Sequence, residues 1–140
     1  MTDSVLDRLT RNGKLSPDSS LDTALPDPPD DTDDYMSFGW LRGIRDRATM
    51  LELRKRDGQI RALSYAWLQL AEFDPSRGIT LTFPKATITL IGQHLNTETR
   101  PHIKLFQGIT RQRVTFIQEA DEVMLMQAGE GETVVERIEW

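Results

Sequence analysis

The sequence predicts an α+β, mostly β domain: a small antiparallel sheet or barrel of about five to seven strands, with an N-terminal helix and one later helix. Apolar and polar residues alternate with a period of two in several runs, as in half-buried strands. Turn signals separate these runs, and Asp57-Gly58 is the strongest of them. No helix of crossover length stands between successive runs, which favours antiparallel pairing.

Composition limits the classes to which the protein can belong. Its 140 residues suggest one domain, and its apolar runs fall well short of the ~20 residues of a membrane helix. The N-terminus carries acidic residues and no apolar core, which is not the pattern of a secretory signal. The absence of cysteine excludes disulfides, thiolate metal sites and cysteine nucleophiles. We therefore expect a cytoplasmic protein that does not bind membranes.

Charge divides the chain into three segments. Residues 1–35 hold nine acidic and three basic residues, residues 36–118 hold six and thirteen, and residues 119–140 hold seven and one. We interpret these segments as a disordered acidic tail, a basic β-rich core, and an acidic C-terminal hairpin or extension. Such asymmetry is informative about partners, although the net charge of the whole chain is only −5.

The tail is predicted to be disordered because proline, aspartate, serine and threonine dominate residues 13–34 and apolar residues are sparse. Residues 4–9 form one or two helical turns at most, too few to be stable alone. They are either a frayed end or a short docking helix anchored by Val5, Leu6 and Leu9. We expect order to begin near Tyr35.

The first half of the core begins with a predicted helix over residues 37–48, since Phe38, Leu41 and Ile44 recur at helical spacing. A strand is expected around residues 51–54, followed by a tight turn and a returning strand over residues 60–65. A third apolar run covers residues 66–73. The turn after it, over residues 74–78, contains proline and glycine at favourable positions.

The clearest alternation covers residues 79–83 and 86–90. One face of these two strands is aliphatic, and the other face carries a row of threonines, namely Thr80, Thr82, Thr87 and Thr89. We interpret the threonine row as the solvent side of a half-buried sheet or as a contact surface.

The C-terminal third is predicted to contain a second helix, a strand and a terminal hairpin. The helix would be capped by Thr97 or Thr99, with Pro101 in its first turn. A strand is expected around residues 114–116. Residues 123–127 and 133–140 have the pattern of a hairpin, although glutamate-rich segments of this length also form helices.

Motifs for catalysis and cofactor binding are missing from the sequence. It contains no phosphate-binding glycine loop and no nucleophile elbow. His94, Glu98 and His102 are spaced by four residues, so a continuous helix would place them on one face as metal ligands. Pro101 interrupts that helix, which favours two loop or cap histidines. We predict no catalytic residue, no metal and no cofactor.

A basic cluster is the most informative local feature. Seven cations lie within twenty residues, near the aromatic side chains of Trp40, Tyr65 and Trp67. Arginines and aromatics together can contact phosphates and stacked bases, or they can be ordinary surface charges above a core. The candidate partner-binding residues are Arg42, Arg45, Arg54, Lys55, Arg56, Arg61, Trp40 and Trp67; the remaining cation is Arg47.

Residues 57–121 carry a resemblance to known proteins. The shared pattern includes Asp57-Gly58, residues 62–65, residues 73–76, Gly78-Ile79 and residues 118–121. It resembles short bacterial proteins of planctomycete type that have no assigned activity. The resemblance implies a shared fold and no catalytic residue, because the matching positions are turn and core residues. The predicted helix and five strands are also similar in order to the Sm-like barrel, without that family's signatures after Asp57-Gly58.

Three classes of function are compatible with these observations. The leading hypothesis is a non-enzymatic interaction or regulatory module that binds a protein partner or forms a homo-oligomer. The alternative is a nucleic-acid-binding module that uses the basic 42–61 surface and is gated by the acidic ends. An enzyme, the third class, would depend on acidic residues with His94 or His102. No small-molecule substrate is indicated.

Overall fold

The computed structural model describes residues 32–140. The predicted short helix over residues 4–9 and the tail before Thr32 lie outside the described residues. The elements of the described part are, in chain order, β1 Thr32–Asp34, β2 Phe38–Leu41, β3 Met50–Arg54, β4 Ile60–Ser64, a 3₁₀ turn Tyr65–Trp67, β5 Leu70–Asp74, β6 Gly78–Phe83, β7 Ala86–Gln93, α1 Leu105–Thr110, β8 Val114–Gln118, α2 Glu122–Gln127 and β9 Val134–Glu139.

These strands form two sheets. The five-stranded sheet has the order β1-β2-β8-β3-β4, and the four-stranded sheet has the order β9-β7-β6-β5. Neighbouring strands are antiparallel except β8 and β3, which are parallel. The predicted mostly β class is therefore confirmed. The strand count was wrong, because residues 32–140 contain nine strands. The favoured antiparallel pairing is confirmed for all neighbouring strands except β8 and β3.

One hydrophobic cluster contains side chains of both sheets. Leu51 and Leu53 of β3 and Ile79 and Leu81 of β6 are completely buried. The alternation predicted for β6 and β7 is confirmed, because the strands pair with the threonines directly opposite each other and the aliphatic residues between them buried. No helix within residues 32–140 is long and apolar enough to cross a membrane.

The helix predicted over residues 37–48 was wrong. Phe38–Leu41 form strand β2, and an irregular loop without helix follows up to Thr49. Pairing with β8 places Gly39 against the ring of Phe116, where an added Cβ would lie only 2.3 Å from the nearest ring carbon. Ile44, which completes the helical spacing, is 90 % exposed. Long-range pairing thus outweighs a local pattern that glycine already weakens. The helix-first order of the Sm-like barrel is therefore not observed.

Three other predictions need correction. The strand expected within residues 66–73 begins only at Leu70, after the 3₁₀ turn. Helix α1 begins at Leu105, and Pro101 lies in the turn before it. The terminal hairpin does not form: residues 122–127 are helix α2, in which the Asp121 carboxylate accepts a hydrogen bond from the Met124 N–H at 2.8 Å. Capping by aspartate explains the helix, and β9 pairs with the distant β7 instead.

One boundary of the predicted organisation also differs. The sequence predicts that ordered structure begins near Tyr35. Thr32–Asp34 already form strand β1, which pairs with β2, so a strand precedes that residue.

A buried carboxylate joins the two sheets at one end. Glu119 directly follows β8 and is only 6 % exposed. One of its oxygens accepts from the Arg56 N–H at 3.0 Å, in the β3–β4 turn, and the other accepts from the Ile138 N–H of β9 at 2.8 Å. The guanidinium of Arg56 lies 3.4 Å from the same carboxylate. Glu119 therefore fixes the β3–β4 hairpin of one sheet to β9 of the other.

We predict that Glu119→Gln lowers the free energy of unfolding by about 1–3 kcal/mol, because the amide offers one acceptor oxygen where two backbone N–H groups, one of them buried, need one each. Urea unfolding followed by circular dichroism measures the change. The matched control is Glu139→Gln on β9, which removes an exposed carboxylate paired with Arg137. Equal unfolding midpoints for the two variants would contradict the role assigned to Glu119.

Candidate functional site

The candidate partner-binding residues fall into two groups at opposite ends of the five-stranded sheet. Val114, at the start of β8, lies opposite Trp40, whereas Gln118, at its end, lies beside Arg54. These positions are four residues apart on one strand, or roughly 13 Å. The structure therefore does not bring the cations of residues 42–61 into one continuous surface. We call Arg54, Lys55, Arg56 and Arg61 the hairpin group, and Arg42, Arg45 and Arg47 the loop group.

The hairpin group contains two cations with carboxylate partners and two without. Arg54 pairs with Glu52 and lies over the ring of Phe116, 4.1 Å from its centre. Arg56 pairs with Glu119, as described above. Lys55 and Arg61 form no ion pair with a carboxylate of residues 32–140. Both lie over the ring of Trp140, at 4.2 Å and 4.7 Å from its centre.

The aromatic residues beside the cluster have different environments. Tyr65 is buried, and its hydroxyl donates to the Val114 carbonyl at 2.6 Å. Trp67, two residues later in the same 3₁₀ turn, is 64 % exposed. Trp40 is half-buried, with its ring against Gly108 of α1. Trp67 is thus available for contacts, whereas Tyr65 belongs to the core.

Burial raises the pKa of the Tyr65 phenol above its ordinary value of about 10. A group whose pKa is raised by folding stabilises the protein fully below its unfolded pKa, and this contribution is lost as the pH rises above that value. We predict that wild-type protein loses stability between about pH 8 and about pH 11. Tyr65→Phe should start about 1 kcal/mol less stable at pH 8, because the hydrogen bond is removed.

The Tyr65→Phe variant should then lose less stability than wild type over the same pH interval. Urea unfolding midpoints at about pH 8 and about pH 11 measure the loss of stability of each protein. Tyr35→Phe, a change at the other tyrosine of the chain, is compared in the same way. Parallel loss in wild type and Tyr65→Phe would contradict the assignment of the slope to this buried phenol.

Strand β4 is an edge of the five-stranded sheet, and half of its backbone points away from the fold. The Tyr65 N–H donates to the Thr49 carbonyl at 3.0 Å, and the Lys55 N–H donates to the Gln59 carbonyl at 2.8 Å. Hydrogen-bonded pairs alternate in an antiparallel ladder, so Arg61 and Leu63 bond to β3. The backbone groups of Ile60, Ala62 and Ser64 therefore face outward, and no backbone bond joins them to other described residues.

Exposed apolar side chains lie on β4, on its partner strand β3 and on the segment that follows β4. They are Met50 at 45 %, Ile60 at 60 %, Trp67 at 64 % and Leu70 at 49 % exposure. Ile60 lies at one end of β4, and Met50, opposite Ser64, lies at the other. Sequence analysis named only Trp67 among these four. It placed Ile60 in the returning strand and Leu70 in the third apolar run, and Met50 lies just before its expected strand over residues 51–54. The available sequence signal of this exposure was the weak alternation of apolar and polar side chains over residues 60–62.

The histidines do not form a metal site. The Glu98 carboxylate accepts a hydrogen bond from the His102 backbone N–H at 2.8 Å, which closes a turn. Both His94 and His102 have left-handed backbone conformations, with φ of 57° and 67°. Within residues 32–140 no three histidine, aspartate or glutamate side chains are grouped so that they could hold a metal ion.

Comparisons with known protein families, curated proteins and solved structures find no match to this chain. The resemblance of residues 57–121 to planctomycete-type proteins therefore stays a prediction.

Proposed function

We propose that this protein is an interaction module that binds a protein partner by accepting an extended segment of it along β4. The observation that carries the proposal is the row of outward backbone groups at Ile60, Ala62 and Ser64. An incoming strand can pair with such a row through main-chain hydrogen bonds, while nearby side chains select its sequence. This is a non-enzymatic role, and it uses Trp67, Arg61 and Lys55 among the predicted partner-binding residues.

The other three strand edges are better protected than β4. Strand β1 has only three residues, two of them aspartates. Strand β5 carries Glu72 and Asp74, and β9 carries three charged residues and an irregularity in its pairing with β7. Charges, bulges and short length are the devices that keep an edge from pairing. Strand β4 has five residues, one charge and a regular ladder, which supports it as the edge that accepts a partner.

Helix α2 also exposes apolar side chains, namely Val123, Leu125 and Met126. Its backbone is bonded within the helix, however, so a partner there would be held by side chains alone. Strand β4 offers both unpaired main-chain groups and an apolar surround. For this reason we assign the partner to β4.

The charge at this edge favours an acidic partner segment. Arg61 belongs to β4. Lys55 directly follows β3, at the start of the turn that leads to β4. Neither is neutralised by a carboxylate of residues 32–140. We expect the bound segment to place an apolar residue near Ile60 or Trp67 and an acidic residue near Arg61. Such complementarity contributes more to specificity and association rate than to affinity.

We predict that Ala62→Pro weakens partner binding and leaves the fold intact. The substitution removes an outward N–H that the fold does not use, and proline is tolerated on edge strands for that reason. Peptides selected from a random display library against the full-length wild-type protein provide the ligands. Their affinity for Ala62→Pro should fall by about tenfold or more, as expected for one or two lost hydrogen bonds of an ordered strand.

The matched control is Ala62→Val, which keeps the N–H and adds a side chain that favours strands. It should bind the selected peptides as wild type does. Equal binding by the wild-type and proline variants, or selected peptides with no extended apolar–acidic pattern, would contradict the proposal. A second copy of the chain as occupant would appear as a dimer in size-exclusion chromatography that Ala62→Pro dissociates.

A further inference from the structure

An open cleft of about 540 Å³ lies beside the loop group, at the opposite end of the sheet from the β3–β4 turn. The loop after β2 and the C-terminal end of α1 form one side, and the turn before α1 forms the other. The lining residues are Asp33, Trp40, Arg42, Ile44, Arg47, Pro101, His102, Ile103, Gln107, Arg111 and Arg113. The volume is within the range of roughly 300–1,000 Å³ that is usual for small-molecule sites.

Positive charge dominates this cleft. Four arginines and a single carboxylate, that of Asp33, line it. Arg42 forms an ion pair with this carboxylate at 3.4 Å. Asp46 lies in the same loop with its carboxylate turned against Gly43, and it does not line the cleft. Arg47 and Arg111 are exposed and form no ion pair with a carboxylate of residues 32–140. Two guanidinium groups are therefore available to an anion.

The loop that presents these cations is fixed in place. The guanidinium of Arg113 donates to four carbonyls between residues 41 and 46, those of Leu41, Gly43, Ile44 and Asp46. The Ala48 N–H donates to the Gln112 carbonyl at 2.7 Å, which anchors the far end of the loop. Arg113 thus acts as a support and not as a ligand. An anion would bind a preformed surface and would not have to order the loop first.

Part of the cleft lining is apolar. Trp40, Pro101 and Ile103 line it, and the indole ring rests on α1 because Gly108 carries no side chain: an added Cβ would lie 2.3 Å from a ring carbon. A cationic rim beside an aromatic and aliphatic wall matches a ligand with a phosphate at one end and a flat, weakly polar group at the other. The planar guanidinium group of arginine can donate two parallel hydrogen bonds to phosphate oxygens.

We propose that this cleft binds a nucleoside phosphate, with the phosphate at Arg47 and Arg111 and the base against the wall formed by Trp40 and Ile103. The site is separate from the β4 edge and does not depend on the proposed partner. The ligand can be a free nucleotide or the terminal nucleotide of a single strand, since both present the same chemistry.

Isothermal titration calorimetry of the full-length protein at ~50 mM salt, which favours phosphate contacts, tests the site. The probes are ADP, adenosine, inorganic phosphate and a ten-residue oligothymidylate. ADP should bind saturably and more tightly than adenosine or phosphate alone. Arg47→Glu and Arg111→Glu should each weaken ADP binding by about tenfold or more, because each removes a charged hydrogen-bond donor.

Lys85→Glu is the matched control, since it changes the net charge equally from an exposed turn of the four-stranded sheet. It should leave ADP affinity within about twofold. Three results would overturn the proposal: no saturable binding of ADP, equal weakening by Lys85→Glu, or binding of the oligonucleotide alone. A tighter oligonucleotide that competes with ADP and is weakened by the same two variants would support the strand terminus as the source.

Discussion

The buried carboxylate of Glu119 is the contact on which the arrangement of the two sheets depends. It sits at the end of β8 and accepts hydrogen bonds from the β3–β4 turn and from β9. A buried carboxylate without such donors would cost several kcal/mol, so this side chain requires both segments to be in place. The contact joins β9 to the turn of the β3–β4 hairpin, and β4 is the edge strand of that sheet because β3 pairs with β8 on its other side.

The proposed functions use the backbone groups and the cations that have no hydrogen-bond or ion-pair partner of the required kind within residues 32–140. Hairpin closure turns Ile60, Ala62 and Ser64 outward, and no neighbouring strand of residues 32–140 bonds to them. At the other end of the sheet, Arg113 holds the loop after β2, and Arg47 and Arg111 form no ion pair with a carboxylate of residues 32–140. One surface thus suits a strand from a protein, and the other suits a phosphate. The two sites use different residues and can be tested independently.

Local patterns predicted part of the fold correctly. The Asp57-Gly58 turn, the β3–β4 hairpin and the alternation of β6 and β7 are short-range features, and they were confirmed. The segment 37–48 was misassigned because the helical spacing of Phe38 and Leu41 is a local pattern, whereas the strand that forms there has its register set by β8, about seventy-five residues later. The cations of the candidate sites could be named from their positions in the sequence. Their division between two ends depends on the insertion of β8 between β2 and β3, which no local signal encodes.

Residue-resolved amide hydrogen exchange of the free protein tests the central claim most directly, because it reports which backbone groups of β4 are bonded. The amides of Arg61 and Leu63 should be protected, as they donate to β3. Those of Ile60, Ala62 and Ser64 should exchange nearly as fast as in an unstructured chain. Equal protection along all five residues would contradict the account, since it would mean that the outer edge of β4 is already occupied.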